Sequence, residues 1–137
     1  MMMQRRADVA PPVIPPAPVA TRPAICDDRT PVLVFFEFDS AVPPESARSA
    51  LEAITQNANT CRWQGIAVAG HTDLAGSDDY NIGLSRQRAD AIANVLTSSG
   101  IAASSLEISA VGEAMPRVPT ADGVRNPQNR RVEITTK

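Results

Sequence analysis

The chain alternates between short runs of two-residue period and longer runs of helical period. Val32 to Phe38 reads VLVFFEF, a β-branched and aromatic run closing on the turn-like Asp39-Ser40, and it predicts a first strand. A period of two puts Val32, Val34, Phe36 and Phe38 on one face and Glu37 on the other. Pro43-Pro44-Glu45 then opens a helix, with proline in the first turn and an acid at the positive end of the dipole. Ala47, Ala50, Leu51, Ile54 and Ala58 follow at helical spacing, predicting a helix over about 44–58. Gly65 to Gly70 (GIAVAG) reads as a short second strand. A second helix starts near Ser77, a good N-cap with Asp78 and Asp79 in the first turn, and ends at Ser98-Ser99-Gly100. Ile82, Ala89, Ile92, Ala93 and Leu96 mark its core face. Leu106 to Ala110 and Arg131 to Thr135 alternate as third and fourth strands. The polar stretch from Gly112 to Gln128 between them has the length at which loops tend to carry function.

The order β-α-β-α-β-β, with two crossover helices, predicts an α+β fold: a small mixed sheet with both helices packed on one face. The 137 residues suffice for one such domain. The twelve prolines are unevenly placed, and Ala10 to Pro23 reads APPVIPPAPVATRP. Such a run favours extended polyproline II over packed structure. Residues 1–30 therefore read as a linker and 31–137 as the folded domain. No run approaches the ~20 apolar residues of a spanning helix, and the two arginines near the start precede no signal-like apolar stretch. Any membrane attachment is expected from an upstream anchor outside this chain. The net charge of −2 argues against a generalised basic surface for nucleic acid.

Cys26 and Cys61 lack metal-ligand spacing. One precedes the first predicted strand and the other the second. Two readings stay open. If those strands are neighbours, a disulfide is feasible and worth roughly 4 kcal/mol when unstrained; otherwise both are buried thiols.

The densest polar constellation is Gly70-His71-Thr72-Asp73 followed by Asn81, Leu84, Ser85 and Arg88. Asp73 sits between a strand end and a helix start, a preferred ligand position in α/β architectures. Asn81, Leu84, Ser85 and Arg88 form one helical stripe, expected to be distinct from the core stripe and to lead along the surface to Asp73. An acid and a guanidinium converging there either neutralise each other or divide between the two ends of a zwitterion. His71, the one histidine, lacks the further ligands of a metal site, so hydrogen bonding within the loop is expected of it. Arg86, Arg117 and Arg125 read as surface residues, and Trp63 and Tyr80 as partly buried.

The segment GHTDLAGSDDYNIGLSRQRADAI resembles the signature of the OmpA-like peptidoglycan-binding domain. Gly70 to Asp73, Gly76, Asn81, Leu84-Ser85, Arg88-Ala89, Gly100-Ile101 and Asn129 to Glu133 match its pattern, and Phe36 to Ala41 matches its opening strand. The resemblance spans about residues 32–135. It implies a module, not an enzyme, that binds the peptide stem of peptidoglycan without cleaving it and needs no metal or cofactor. Asp73 would take the ammonium of a diaminopimelate residue and Arg88 its carboxylate. Thr72, Asn81 and Leu84 would line the pocket, Arg130 rather than Arg131 would add positive charge, and Glu37 and Asp39 would stand at the rim. The implied location is the periplasm, at the outer membrane or cell envelope. Two other readings stand beside it. One is a module of the same fold that binds envelope proteins through the Gly112–Gln128 loop. The other is an enzyme acting on peptidoglycan, for which no ordered carboxylate pair, nucleophile with base, or metal set is found.

Overall fold

The computed structural model describes residue 12 and residues 22–137, so most of the expected linker lies outside the described residues. The main elements are β1 (Val32–Phe35), α1 (Arg48–Cys61), β2 (Ile66–His71), α2 (Asp78–Ser98), β3 (Leu106–Gly112) and β4 (Arg131–Thr136). The four strands form one mixed sheet in the order β1-β4-β2-β3. β4 runs antiparallel to both of its neighbours, and β2 runs parallel to β3. The last strand therefore slots between the first two. Val34, Ile66, Val68, Val132 and Ile134 pack with Leu51 and Ile54 of α1 and with Ala89, Ile92 and Leu96 of α2. These strand residues share one face by period and register, so both helices cover that face.

The element ends depart from the expected ones for local reasons. β1 stops at Phe35. Phe36 keeps one sheet bond, its N–H donating to the Arg130 carbonyl at 2.8 Å, and is buried. The chain then turns at Asp39, whose φ of 57° is left-handed, so Phe38 is exposed and does not share the face of Val34 and Phe36. α1 begins after a 3-10 turn at Glu45–Ala47 and runs on to Cys61. Arg62, also left-handed, ends it by donating its N–H to the Ala58 carbonyl. The ends of α2 follow the sequence closely. Ser77 Oγ accepts from the Tyr80 N–H at 3.2 Å. Beyond the last turn Gly100 has a φ of 110°. The N–H groups of Gly100 and Ile101 donate to the carbonyls of Thr97 and Leu96, closing the helix as a Schellman motif.

The packing of α2 corrects one expectation. Asn81, Leu84, Ser85 and Arg88 are buried and run on into Ala89, Ile92 and Leu96, so the polar and apolar positions form a single buried stripe. Ile82, expected in the core, is 50% exposed, because it lies about 100° around the helix from Asn81. Gly70 of β2 makes the close approach of this stripe feasible: a Cβ there would run into the Ser85 carbonyl of α2.

Cys26 and Cys61 are joined in a disulfide, with their Cα atoms 5.2 Å apart. The reason is not adjacency of β1 and β2, which β4 separates. The bridge links a 3-10 turn at Ala24–Asp27 to the last turn of α1. The Cys26 carbonyl accepts from Trp63 Nε1 at 2.9 Å and Arg29 Nη1 at 3.0 Å. Packing thus begins several residues before residue 31, the expected start of the domain.

Candidate ligand-binding site

β2 ends in a register irregularity at Gly70/His71, and the loop that follows carries Thr72 and Asp73. Thr72 is buried and structural: its N–H donates to the Gly112 carbonyl and its Oγ1 to the Asp73 carbonyl, both at 2.9 Å. Asp73 is 3% exposed. Its Oδ1 accepts from the Ala75 N–H at 3.2 Å. Its Oδ2 accepts from the Asn126 N–H and from Arg130 Nη1, each at 3.2 Å.

Arg88 is completely buried. Its Nε donates to the Ser40 carbonyl at 2.8 Å, its Nη1 to the His71 carbonyl at 3.0 Å and its Nη2 to the Glu37 carbonyl at 3.2 Å. A guanidinium has five N–H donors, so two remain. Burial pulls its pKa down to about 10; Asp73 opposes that, Arg130 adds to it, and Asp39 opposes it in turn. Arg88 is still charged at neutral pH.

The acid and the two guanidiniums meet at a cavity of about 70 Å³. Its walls carry Asp39, Asp73, Arg88 and Arg130, with Phe38, Tyr80 and Leu84 supplying apolar surface. A water occupies ~10–15 Å³ on this scale, so the space suits a small polar head group rather than a sugar ring. Two carboxylates face two guanidiniums, which leaves the walls formally neutral. Asp73 and Arg88 do not neutralise each other directly: Asp73 pairs with Arg130, and no ion pair within 4.0 Å joins it to Arg88.

The other expected site residues divide. Leu84 lines the cavity, and Asn81 fixes its loop by donating from Nδ2 to the Ala75 carbonyl at 2.9 Å and the Asp73 carbonyl at 3.3 Å. Asp39 stands at the mouth. Glu37 serves through its carbonyl, and it is absent from the cavity walls, bordering instead a separate groove with Phe35 and Pro44. Arg130 and Arg131 point to opposite faces. Arg130 Nε donates to the Phe36 carbonyl at 3.0 Å on the cavity side. Arg131 pairs with Glu133 at 3.0 Å and donates to the Met115 carbonyl at 3.2 Å on the other. The His71 ring does not hold the loop: both ring nitrogens are buried without a hydrogen-bond partner. Nε2 lies 3.7 Å from Glu133 Oε2, and it is the His71 carbonyl that serves the site.

Sequence reasoning missed several contributors. Phe38, Gly76 and Tyr80 line the cavity, and Tyr80 is half-exposed, in keeping with the partial burial expected of it. Arg125, read as a plain surface residue, lies with its guanidinium carbon 3.5 Å above the centre of the Phe38 ring. The period-two reading put Phe38 in the core, which hid it. The Gly112–Gln128 loop is also tied down. The Gly123 N–H donates to the Leu74 carbonyl at 3.0 Å, and Asn129 clamps Val118 through bonds of 2.8 and 2.9 Å.

Comparison with known proteins follows the same outline. The family model described as the OmpA family matches residues 35–130. An outer membrane protein of Gluconacetobacter diazotrophicus is 38% identical over 108 residues, covering 74% of this chain and 29% of that protein. The peptidoglycan-associated lipoprotein of Legionella pneumophila is 30% identical over 102 residues, covering 74% of this chain and 58% of that protein. The chain thus spans less than two thirds of either relative. Among solved structures, the peptidoglycan-associated lipoprotein from Burkholderia pseudomallei superposes with a TM-score of 0.72 at 26% identity, over 81% of this chain and 92% of that one.

Proposed function

The chain belongs to the OmpA family, and on that premise we propose that it binds the peptide stem of peptidoglycan through a diaminopimelate residue, holding an envelope component to the cell wall. The observation that carries this reading is the charge-balanced cavity built by Asp39, Asp73, Arg88 and Arg130. A zwitterionic amino-acid head meets complementary charge at both of its ends there. The ammonium lies against Asp73 and Asp39. The carboxylate takes the two N–H groups of Arg88 that the backbone leaves free.

The reading is one of binding without cleavage. Asp73 is engaged by three donors and Arg88 by three carbonyls, so both act as fixed recognition groups. The domain works at the periplasmic side of the outer membrane or cell envelope, and the proline-rich residues before Cys26 act as a spacer to an upstream anchor.

The test is calorimetric titration of the domain with diaminopimelate, beside Ala75→Trp. That substitution keeps the backbone N–H that Asp73 accepts and fills the cavity that Ala75 lines. Heat of binding from the native protein and none from the folded variant supports the reading. A folded native protein that takes no diaminopimelate overturns it and favours a module that binds envelope proteins.

A further inference from the structure

Two arginines line the cavity and a third, Arg125, stacks on one of its walls, and they differ in what their donors do. Arg88 spends three N–H groups on carbonyls. Arg130 spends its Nε on the Phe36 carbonyl and its Nη1 on Asp73. The Arg125 guanidinium makes no hydrogen bond, and no carboxylate lies within 4.0 Å of it among the described residues. It is nonetheless held in place. Its guanidinium carbon sits 3.5 Å above the Phe38 ring centre, far inside the ~6 Å reach of a cation–π contact. At that distance the planar group lies flat on the ring, since an N–H pointing down would hold the carbon farther away. A flat guanidinium keeps all five N–H groups in its plane and directed outward. The backbone on either side is anchored as well: the Gly123 N–H donates to the Leu74 carbonyl, and the Asn126 N–H to Asp73 itself. Phe38, beneath Arg125, is a wall of the cavity.

We infer that Arg125 is a specificity-determining residue: it binds a second carboxylate of the ligand, one lying just outside the cavity that receives the amino-acid head. The inference rests on the stem-peptide reading of that cavity. A planar fork with free donors matches a carboxylate in bidentate geometry. Pre-stacking on Phe38 spares much of the ordering cost that an exposed arginine otherwise meets. The domain accordingly selects peptides whose residue next to the diaminopimelate keeps a free acid, over the same peptides carrying an amide there.

The test uses two probes, alanyl-γ-glutamyl-diaminopimelate with its glutamyl α-carboxyl free and the same tripeptide amidated at that carboxyl. Both keep the diaminopimelate charges intact. Calorimetry on the native protein should show the free acid bound about fivefold more tightly, the upper end for an exposed ion pair. Arg125→Gln should bind both peptides with the affinity that the native protein has for the amide. Phe38→Leu, which removes the platform, should shrink the preference. Equal affinity of the native protein for both peptides, or a full preference retained by Arg125→Gln, overturns the inference while leaving the diaminopimelate reading intact. Binding of neither peptide overturns both.

Discussion

Arg130 Nη1 donates to Asp73 Oδ2 at 3.2 Å, across 57 residues of chain. That bond ties the start of β4 to the loop leaving β2. The same Oδ2 accepts from the Asn126 N–H, so one carboxylate oxygen holds both ends of the short turn that leads into β4. The site and the fold share this pair, and a change at Asp73 acts on both.

Asp73→Asn should therefore lose stability as well as ligand. The amide oxygen can still accept from the Ala75 N–H, but Arg130 loses its counter-charge in a nearly buried place, both side chains being at most 12% exposed. Removing one partner of a fully buried pair costs ~3–5 kcal/mol. Arg130 keeps its bond to Phe36 and some access to water, so about 2 kcal/mol is the expected loss. Urea denaturation measures it, and an unchanged midpoint would mean that the pair holds nothing together.

The contact of α2 with β2 makes a sharper pair of predictions from two glycines. Gly70→Ala puts a methyl group into the Ser85 carbonyl, and backbone on both sides leaves little to yield. A loss of about 3 kcal/mol or more is expected. Gly83 sits within α2 with nothing within 4 Å of an added Cβ. Gly83→Ala should raise stability by ~0.5–1 kcal/mol. Thermal unfolding of the two variants should move in opposite directions, and a common direction would refute the described packing of α2.

The elements were legible in the sequence because their signals are local. Ser77 and Gly100 bracket α2 through bonds reaching no farther than five residues, and alternation marks each strand. The burial of Arg88 was not legible. A guanidinium on a helix stripe reads as solvated until three carbonyls reach it, and Glu37 and Ser40 come from the turn after β1 and His71 from the end of β2. The motif resemblance brought Asp73, Arg88 and Arg130 into consideration, but their actual pairing depends on β4 lying beside both β1 and β2. Arg125 was missed for the same kind of reason. Its partner Phe38 stands 87 residues away and only meets it once the Asp39 turn lifts that ring out of the sheet.

Acid should weaken the fold through His71. Burial lowers its pKa below the usual 6.5, Arg131 lowers it further, and Glu133 partly offsets both. In the unfolded chain the imidazole takes up its proton near pH 6.5, whereas the folded chain resists until lower pH. The unfolded state then binds more protons, so this contribution is level above about pH 6.5 and falls as pH drops below it. Arg131 and Glu133 are the charged groups facing the ring, both from β4. Melting temperatures of the native protein and His71→Phe between pH 7.5 and 5 should diverge on the acid side. Parallel curves would remove His71 from the account.

The disulfide makes the last prediction, because it closes a loop that the core alone does not close. Cys26 and Cys61 are 35 residues apart, and chain entropy over that span gives roughly 4 kcal/mol of stabilisation. The double substitution Cys26→Ser/Cys61→Ser should lose about that much, with Cys26→Ser alone costing nearly the same since either change opens the loop. The loss should also have a spectroscopic trace. Trp63 Nε1 donates to the Cys26 carbonyl at 2.9 Å, and it is the chain's single tryptophan. Freeing residue 26 withdraws that acceptor and exposes the indole edge to water. A dithiol reductant should therefore shift tryptophan emission to longer wavelength before global unfolding, while β1, still paired with β4 over four residues, keeps its far-UV signal. If emission and far-UV signals move together, the turn at Ala24–Asp27 and the sheet form one cooperative unit, and the bridge acts on the whole domain rather than on its entry point alone.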